Sequence, residues 1–127
     1  MKFRYTILYV QDVPKALEFY NAAFGFKIGF LHEGKDYGEL VTGDTKLAFA
    51  AKDLIRQLGE EPMTVTPQSP AFGKSFETDD VAGDLDRAVT AGAKLEKPIV
   101  EQPWGQTTCS VSDPDGYLIE VCSAVAG

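Results

Sequence analysis

Histidine is almost absent from this chain: His32 is the only one in 127 residues. A zinc site built on two or three imidazoles cannot be assembled within one such chain, and a Ser-His-Asp arrangement has a single candidate base. Cysteine is scarce as well. Two of them, Cys109 and Cys122, are far from the dense framework of a small secreted domain. Positive charge is in short supply: 12 Lys plus Arg stand against 19 Asp plus Glu, a net charge of −7. That sign argues against nucleic acid and against a membrane surface, because both demand a basic footprint. Long apolar runs are missing too, and nothing approaches the roughly twenty residues of a membrane span. The uncharged stretch after Arg4 runs only from Tyr5 to Gln11, too short for the core of a signal peptide, so cytoplasmic residence is expected. The glycines form no GxGxxG after a strand, no Walker sequence and no GxSxG elbow. No cofactor of the nucleotide kind is therefore expected.

What is present describes one compact domain. With 44% hydrophobic residues, a chain of this size buries roughly two-thirds of its unfolded surface. Residues 3–10, FRYTILYV, read as a strand. Asp12 is a good N-cap, and Pro14 falls in the first helical turn, where a missing N–H is harmless. Val13, Ala16, Leu17, Phe19, Tyr20 and Ala23 recur at helical spacing, and Gly25 supplies the stop. Strands are expected over 26–31, 37–42 and 46–51, and a short helix over 52–58. Residues 59–70, with three prolines, read as a surface linker.

The opening pattern then returns. Residues 72–78 suggest a strand, Asp79-Asp80 cap a helix over Val81, Leu85, Ala88, Val89 and Ala91, and Gly92 ends it. Strands at about 99–102, 106–112 and 117–123 follow, the last two joined by Asp113-Pro114-Asp115-Gly116. Matching the apolar faces of that hairpin sets Cys109 opposite Val121 and turns Cys122 to the other face with Glu120, so the cysteines do not bridge. The chain is a duplication: strand, helix, three strands, twice. The expected class is α+β, with two tandem βαβββ modules forming curved mixed sheets around a ligand trough. Module 1 covers about 1–58, the linker about 59–70 and module 2 about 71–127.

These residues resemble a family. Val10-Gln11-Asp12-Val13 running into Ala16-Leu17-Glu18-Phe19-Tyr20 and Gly25-Phe26 stand at one end. Pro103-Trp104-Gly105 and Ser112-Asp113-Pro114-Asp115-Gly116-Tyr117-Leu118-Ile119-Glu120 stand at the other. Over essentially its whole length the chain is similar to the vicinal oxygen chelate superfamily, which includes glyoxalase I, extradiol dioxygenases, and fosfomycin- and bleomycin-resistance proteins. The resemblance implies one metal ligand from the first and last strand of each module. Carried over, those positions are Tyr5, Ala48, Lys74 and Glu120, and only Glu120 is an ordinary ligand. Phenolate binding is largely confined to ferric-type sites, alanine has no donor atom, and an ammonium has no lone pair.

The resemblance therefore implies a site with no metal and no catalytic residue, in which Lys74 faces Glu120 and supplies the positive charge. Its ligand-binding set is Tyr5, Ile7, Ala48, Lys74, Phe76, Trp104 and Glu120. The function implied is that of the bleomycin-resistance branch: a homodimer that sequesters a planar or cationic small-molecule ligand without chemistry. The alternative is a glyoxalase-like lyase or isomerase, or a dioxygenase, with a non-standard metal site. Metal-free catalysis by Lys74 or Tyr5 with Glu120 is a third possibility.

Overall fold

The computed structural model describes residues 1–125. The elements follow the order β1 (Tyr5–Val10), α1 (Val13–Phe24), β2 (Ile28–Leu31), β3 (Tyr37–Leu40), β4 (Lys46–Ala51) and α2 (Lys52–Gln57). They continue with β5 (Ser75–Glu77), α3 (Val81–Thr90), β6 (Lys94–Glu101), β7 (Thr107–Ser112) and β8 (Leu118–Cys122). The chain divides into two compact units, Met1–Thr64 and the residues from Val65 onward. That boundary falls inside the segment expected to link the modules. Each unit carries one four-stranded mixed sheet, ordered β1-β4-β3-β2 in the first and β5-β8-β7-β6 in the second. The α+β class and the tandem βαβββ pattern are therefore both present.

In the first unit, Asp12 caps α1 by accepting the Lys15 N–H at 3.1 Å, and the Gly25 N–H closes the other end on the Asn21 carbonyl. Val13, Ala16, Leu17, Phe19, Tyr20 and Ala23 are buried against one face of the sheet. Leu17 and Tyr20 are each 1% exposed, and burial on that scale contributes about 2–3 kcal/mol per side chain. The Tyr20 ring lies 4.9 Å from that of Phe49 on β4. Helix and sheet come close at Gly38, where an added Cβ would sit 2.6 Å from Leu17 Cδ1 and 3.1 Å from the Phe30 carbonyl oxygen. A side chain there has nowhere to go.

In the second unit, Asp80 caps α3 by accepting the Gly83 N–H at 3.0 Å. Val111, Ile119 and Val121 form the buried sheet face under that helix, with Ala88 on the helix side. Cys109 pairs with Val121 across β7 and β8, and both cysteines are buried and free. Segment 65–70 packs over the β7–β8 turn. Gly116 has φ +90°, and a Cβ on it would stand 2.7 Å from the Val65 carbonyl oxygen.

Several strand bounds differ from expectation, β2 and β3 each being two residues shorter. β1 begins at Tyr5, leaving Phe3 73% exposed. β5 spans only Ser75–Glu77, because the preceding residues turn to pack on Tyr117, with the Phe72 ring 6.3 Å from it. β6 starts at Lys94, well before residue 99, and runs through Pro98. That is tolerable because β6 is an edge strand and the residues paired with β7 do not include Pro98.

Candidate functional site

Each sheet covers one face with a helix and leaves the other open, and strand register decides which side chains share the open face. Cα partners on adjacent strands point the same way. In the first unit Ile7 pairs with Ala48, Ala48 with Glu39, and Glu39 with Phe30, so these four form one row across all four strands. Alternation along β1 turns Leu8 and Val10 toward the helix and leaves Tyr5, Ile7 and Tyr9 on the open side. Tyr5 is 48% exposed, Ile7 42% and Phe30 47%. Ala48 is fully buried, a small residue between the taller Ile7 and Glu39.

Glu39 is the polar centre of this surface. Its side chain is only 14% exposed. Tyr37 donates its hydroxyl to Glu39 Oε2 at 2.8 Å, and Lys46 Nζ reaches Oε1 at 3.2 Å. Burial pushes the Tyr37 hydroxyl well above its ordinary pKa, reinforced by its hydrogen bond to Glu39, that carboxylate's charge and nearby Tyr5. Tyr37 therefore stays protonated and donating at any ordinary pH. The Phe30 ring lies 6.4 Å from that of Tyr37. The result is an aromatic surface with one sheltered carboxylate at its centre.

The corresponding row in the second unit is Ser75, Glu120, Ser110 and Lys97. Ser75 donates its hydroxyl to Glu120 Oε1 at 2.9 Å. An open hollow of ≈ 410 Å³ lies over this row, bordered on its apolar side by Pro70, Ala71, Phe72 and Leu118.

The structure rearranges the expected ligand-binding set. Tyr5, Ile7 and Ala48 do share one face of the first unit, and Glu120 stands on the open face of the second. Lys74 lies just before β5 and borders the same hollow as Glu120, but the residue in register with Glu120 is Ser75. The Lys74 ammonium instead lies 5.3 Å from the centroid of the Tyr117 ring. Burial lowers its pKa to about 8, and the Asp113 carboxylate opposes that shift. Phe76 pairs with buried Val121 and so lies on the helix-covered face. Trp104 sits in the β6–β7 turn, 59% exposed, donating its indole N–H to Gln106 Oε1 at 2.8 Å.

Sequence reasoning missed Glu39, Tyr37, Lys46 and Phe30 in the first unit, and Ser75, Ser110 and Lys97 in the second. A usable signal existed for Glu39: it is a lone carboxylate at the second alternate position of the strand Tyr37-Gly38-Glu39-Leu40. Its alternation partner is another hydrogen-bonding residue, Tyr37.

A divalent metal needs several lone-pair donors converging on one point. Ala48 has none, the Lys74 ammonium has none, and Glu120 shares its row with hydroxyls and an ammonium. No group of three or more His, Cys, Asp or Glu suited to a metal ion exists among the described residues. The residues present do not fit the metal site that the family resemblance implies. No helix among the described residues is long and apolar enough to cross a membrane.

Comparison with known proteins agrees with this architecture. The chain is 29% identical over 124 residues to Uncharacterized protein YraH of Bacillus subtilis (strain 168), covering 95% of this chain and 97% of that protein. It is 28% identical over 123 residues to a "Probable lactoylglutathione lyase" of Vibrio parahaemolyticus, covering 92% and 86% respectively. In fold it is similar to a glyoxalase-related enzyme from Fulvimarina pelagi, with a TM-score of 0.84 at 21% identity over 98% of this chain and 88% of that one. Residues 2–121 match the family model described as Glyoxalase/Bleomycin resistance protein/Dioxygenase superfamily. Two βαβββ units, matched by that model over nearly their full length, make this chain a member of the glyoxalase/bleomycin resistance protein/dioxygenase superfamily.

Proposed function

We propose that this protein binds a small planar or cationic molecule without a metal, as the bleomycin-resistance branch of its superfamily does. The open face of the first unit is the binding surface. One observation carries the reading: the Glu39 carboxylate, 14% exposed, lies on a face shared with Tyr5, Ile7, Phe30 and Tyr37. A flat ring system stacks on the aromatic side chains, and its positive charge is attracted both by their π faces and by Glu39. Each carboxylate oxygen accepts one hydrogen bond from the protein and retains a second lone pair for a ligand donor. Lys46, whose side chain is 41% exposed, has the freedom to swing toward solvent when a ligand cation arrives.

The net charge supports capture of a cation from a distance, although the two units contribute unequally. The first has 8 Lys plus Arg against 9 Asp plus Glu, and the second 4 against 10. Long-range attraction therefore comes chiefly from the second unit, and local recognition from the first. Fluorescence titration with a planar monocationic dye of the acridine type tests the proposal. Wild-type protein binds the dye in the presence of a chelator, and Glu39→Gln binds it roughly tenfold or more weakly, the effect of losing one charge-assisted hydrogen bond. Equal affinity for both proteins overturns the assignment to Glu39.

A lyase reading is favoured by the similarity to the Vibrio parahaemolyticus protein. It requires metal-dependent isomerisation of a glutathione hemithioacetal, and turnover appearing on addition of a divalent metal would establish it. The resemblance to the bleomycin-resistance branch leads us to expect a homodimer. Exposed Ile28 and Phe30 on edge strand β2, and Leu95 and Ile99 on edge strand β6, supply apolar surface for one. Sedimentation equilibrium distinguishes dimer from monomer.

A further inference from the structure

The second unit's open face has a chemistry unlike that of the first. Its row begins with two acceptors of different charge, Ser75 and Glu120, and ends with a hydroxyl, Ser110, and an ammonium, Lys97. Two features of the row stand out. The Lys97 ammonium makes no ion pair or hydrogen bond with any described residue; Lys74 also borders the hollow, its ammonium over the Tyr117 ring, and the Glu120 carboxylate accepts only from Ser75. The Ser110 hydroxyl, on a residue 8% exposed, has no partner among the described residues and borders the hollow. That hydroxyl opens to the hollow and is free to bond a ligand there.

The charges lie two strands apart, roughly 10 Å between backbones at the usual strand spacing. Lys97 carries its ammonium on a flexible four-carbon stem that can cross much of that span. Opposite charges so placed, with a hydroxyl between them, complement a molecule that carries both a carboxylate and an ammonium. The apolar border of Pro70, Ala71, Phe72 and Leu118 adds a place for a hydrocarbon side chain.

We infer that this hollow binds a free α-amino acid with an apolar side chain. Lys97 takes the carboxylate, Glu120 the ammonium, and the Ser110 hydroxyl donates a hydrogen bond to the carboxylate. The inference extends the small-molecule-binding reading to a second surface, and the dye titration of Glu39 variants tests that reading separately.

Calorimetric titration of the full-length protein with L-leucine, N-acetyl-L-leucine and L-leucinamide provides the test. L-leucine binds wild type. Removing either charge from the ligand weakens binding roughly tenfold or more, the scale of one charged hydrogen bond. Lys97→Met weakens L-leucine to a similar degree but leaves L-leucinamide unchanged, because the group it contacts is already missing. Glu120→Gln does the same for N-acetyl-L-leucine. Both positions are on the open face, so circular dichroism of each variant should match wild type. No binding of L-leucine at millimolar concentration overturns the inference, as does binding indifferent to both substitutions. Dye binding that persists alongside such a failure leaves the first-unit reading standing.

Discussion

Lys74 carries a pH signature that can be worked out in advance. Its pKa, about 8 in the folded protein against an ordinary 10.5, is lowered by burial and partly restored by Asp113. The unfolded chain therefore holds this proton more tightly than the folded one. Below about pH 8 both states are charged and the folded state bears the full penalty, about 3 kcal/mol for a shift of this size. As pH rises from 8 toward 10.5 the folded state sheds the proton first and stability increases. Replacing Lys74 with Met keeps the hydrocarbon stem beside Tyr117 and removes the titration. The difference in unfolding free energy between wild type and Lys74→Met should thus move in favour of wild type by about 2 kcal/mol between about pH 7.5 and about pH 9.5.

Taking that difference matters, because other groups act the opposite way. Burial raises the Cys109 and Cys122 thiols, and burial with Glu39 raises the Tyr37 hydroxyl, so each lowers stability as pH rises through its unfolded pKa. These contributions are common to both proteins and cancel. Urea unfolding followed by Trp104 fluorescence is suited to the purpose, since the single tryptophan lies in the same unit as Lys74. A difference that stays flat across that range refutes the burial argument for Lys74.

Other perturbations follow from the same contacts. Gly38→Ala forces a Cβ to 2.6 Å from Leu17 Cδ1 and 3.1 Å from the Phe30 carbonyl oxygen, and should cost about 1–3 kcal/mol by chemical denaturation. Asp12→Ala removes the cap of α1 and should cost about 1 kcal/mol by the same measurement. Cys109 and Cys122 are buried with raised thiol pKa values, so an aromatic disulfide reagent at neutral pH should label both only as fast as the protein opens.

Much of the fold is legible in the sequence because its signals are local. Asp12, Pro14 and Gly25 bracket α1 closely, and β4 falls where an apolar run follows Gly43-Asp44. The Cys109 to Val121 register follows from two alternating apolar strands meeting at a short turn. β6 was hidden because Lys94, Glu96, Lys97 and Pro98 disguise an edge strand as a loop. The site was harder to read, since strand register is long-range information. Lys74 and Ser75 are neighbours in sequence, yet the parallel pairing with β8 sets Ser75, not Lys74, in register with Glu120. Glu39 was harder to single out for a related reason. It occupies β3, and its importance comes from Ile7, Ala48 and Phe30 on three other strands and from a hydrogen bond that alternation alone does not reveal.

The central claim is that the open face of the first unit recognises its ligand through Glu39 and without a metal. Equilibrium binding of the planar cationic dye, measured on wild type and Glu39→Gln with chelator and again with added divalent metal, tests it most directly. Wild-type affinity should be the same in both conditions and roughly tenfold or more weaker in the variant. Binding that appears only with metal, or that survives intact in Glu39→Gln, would contradict it.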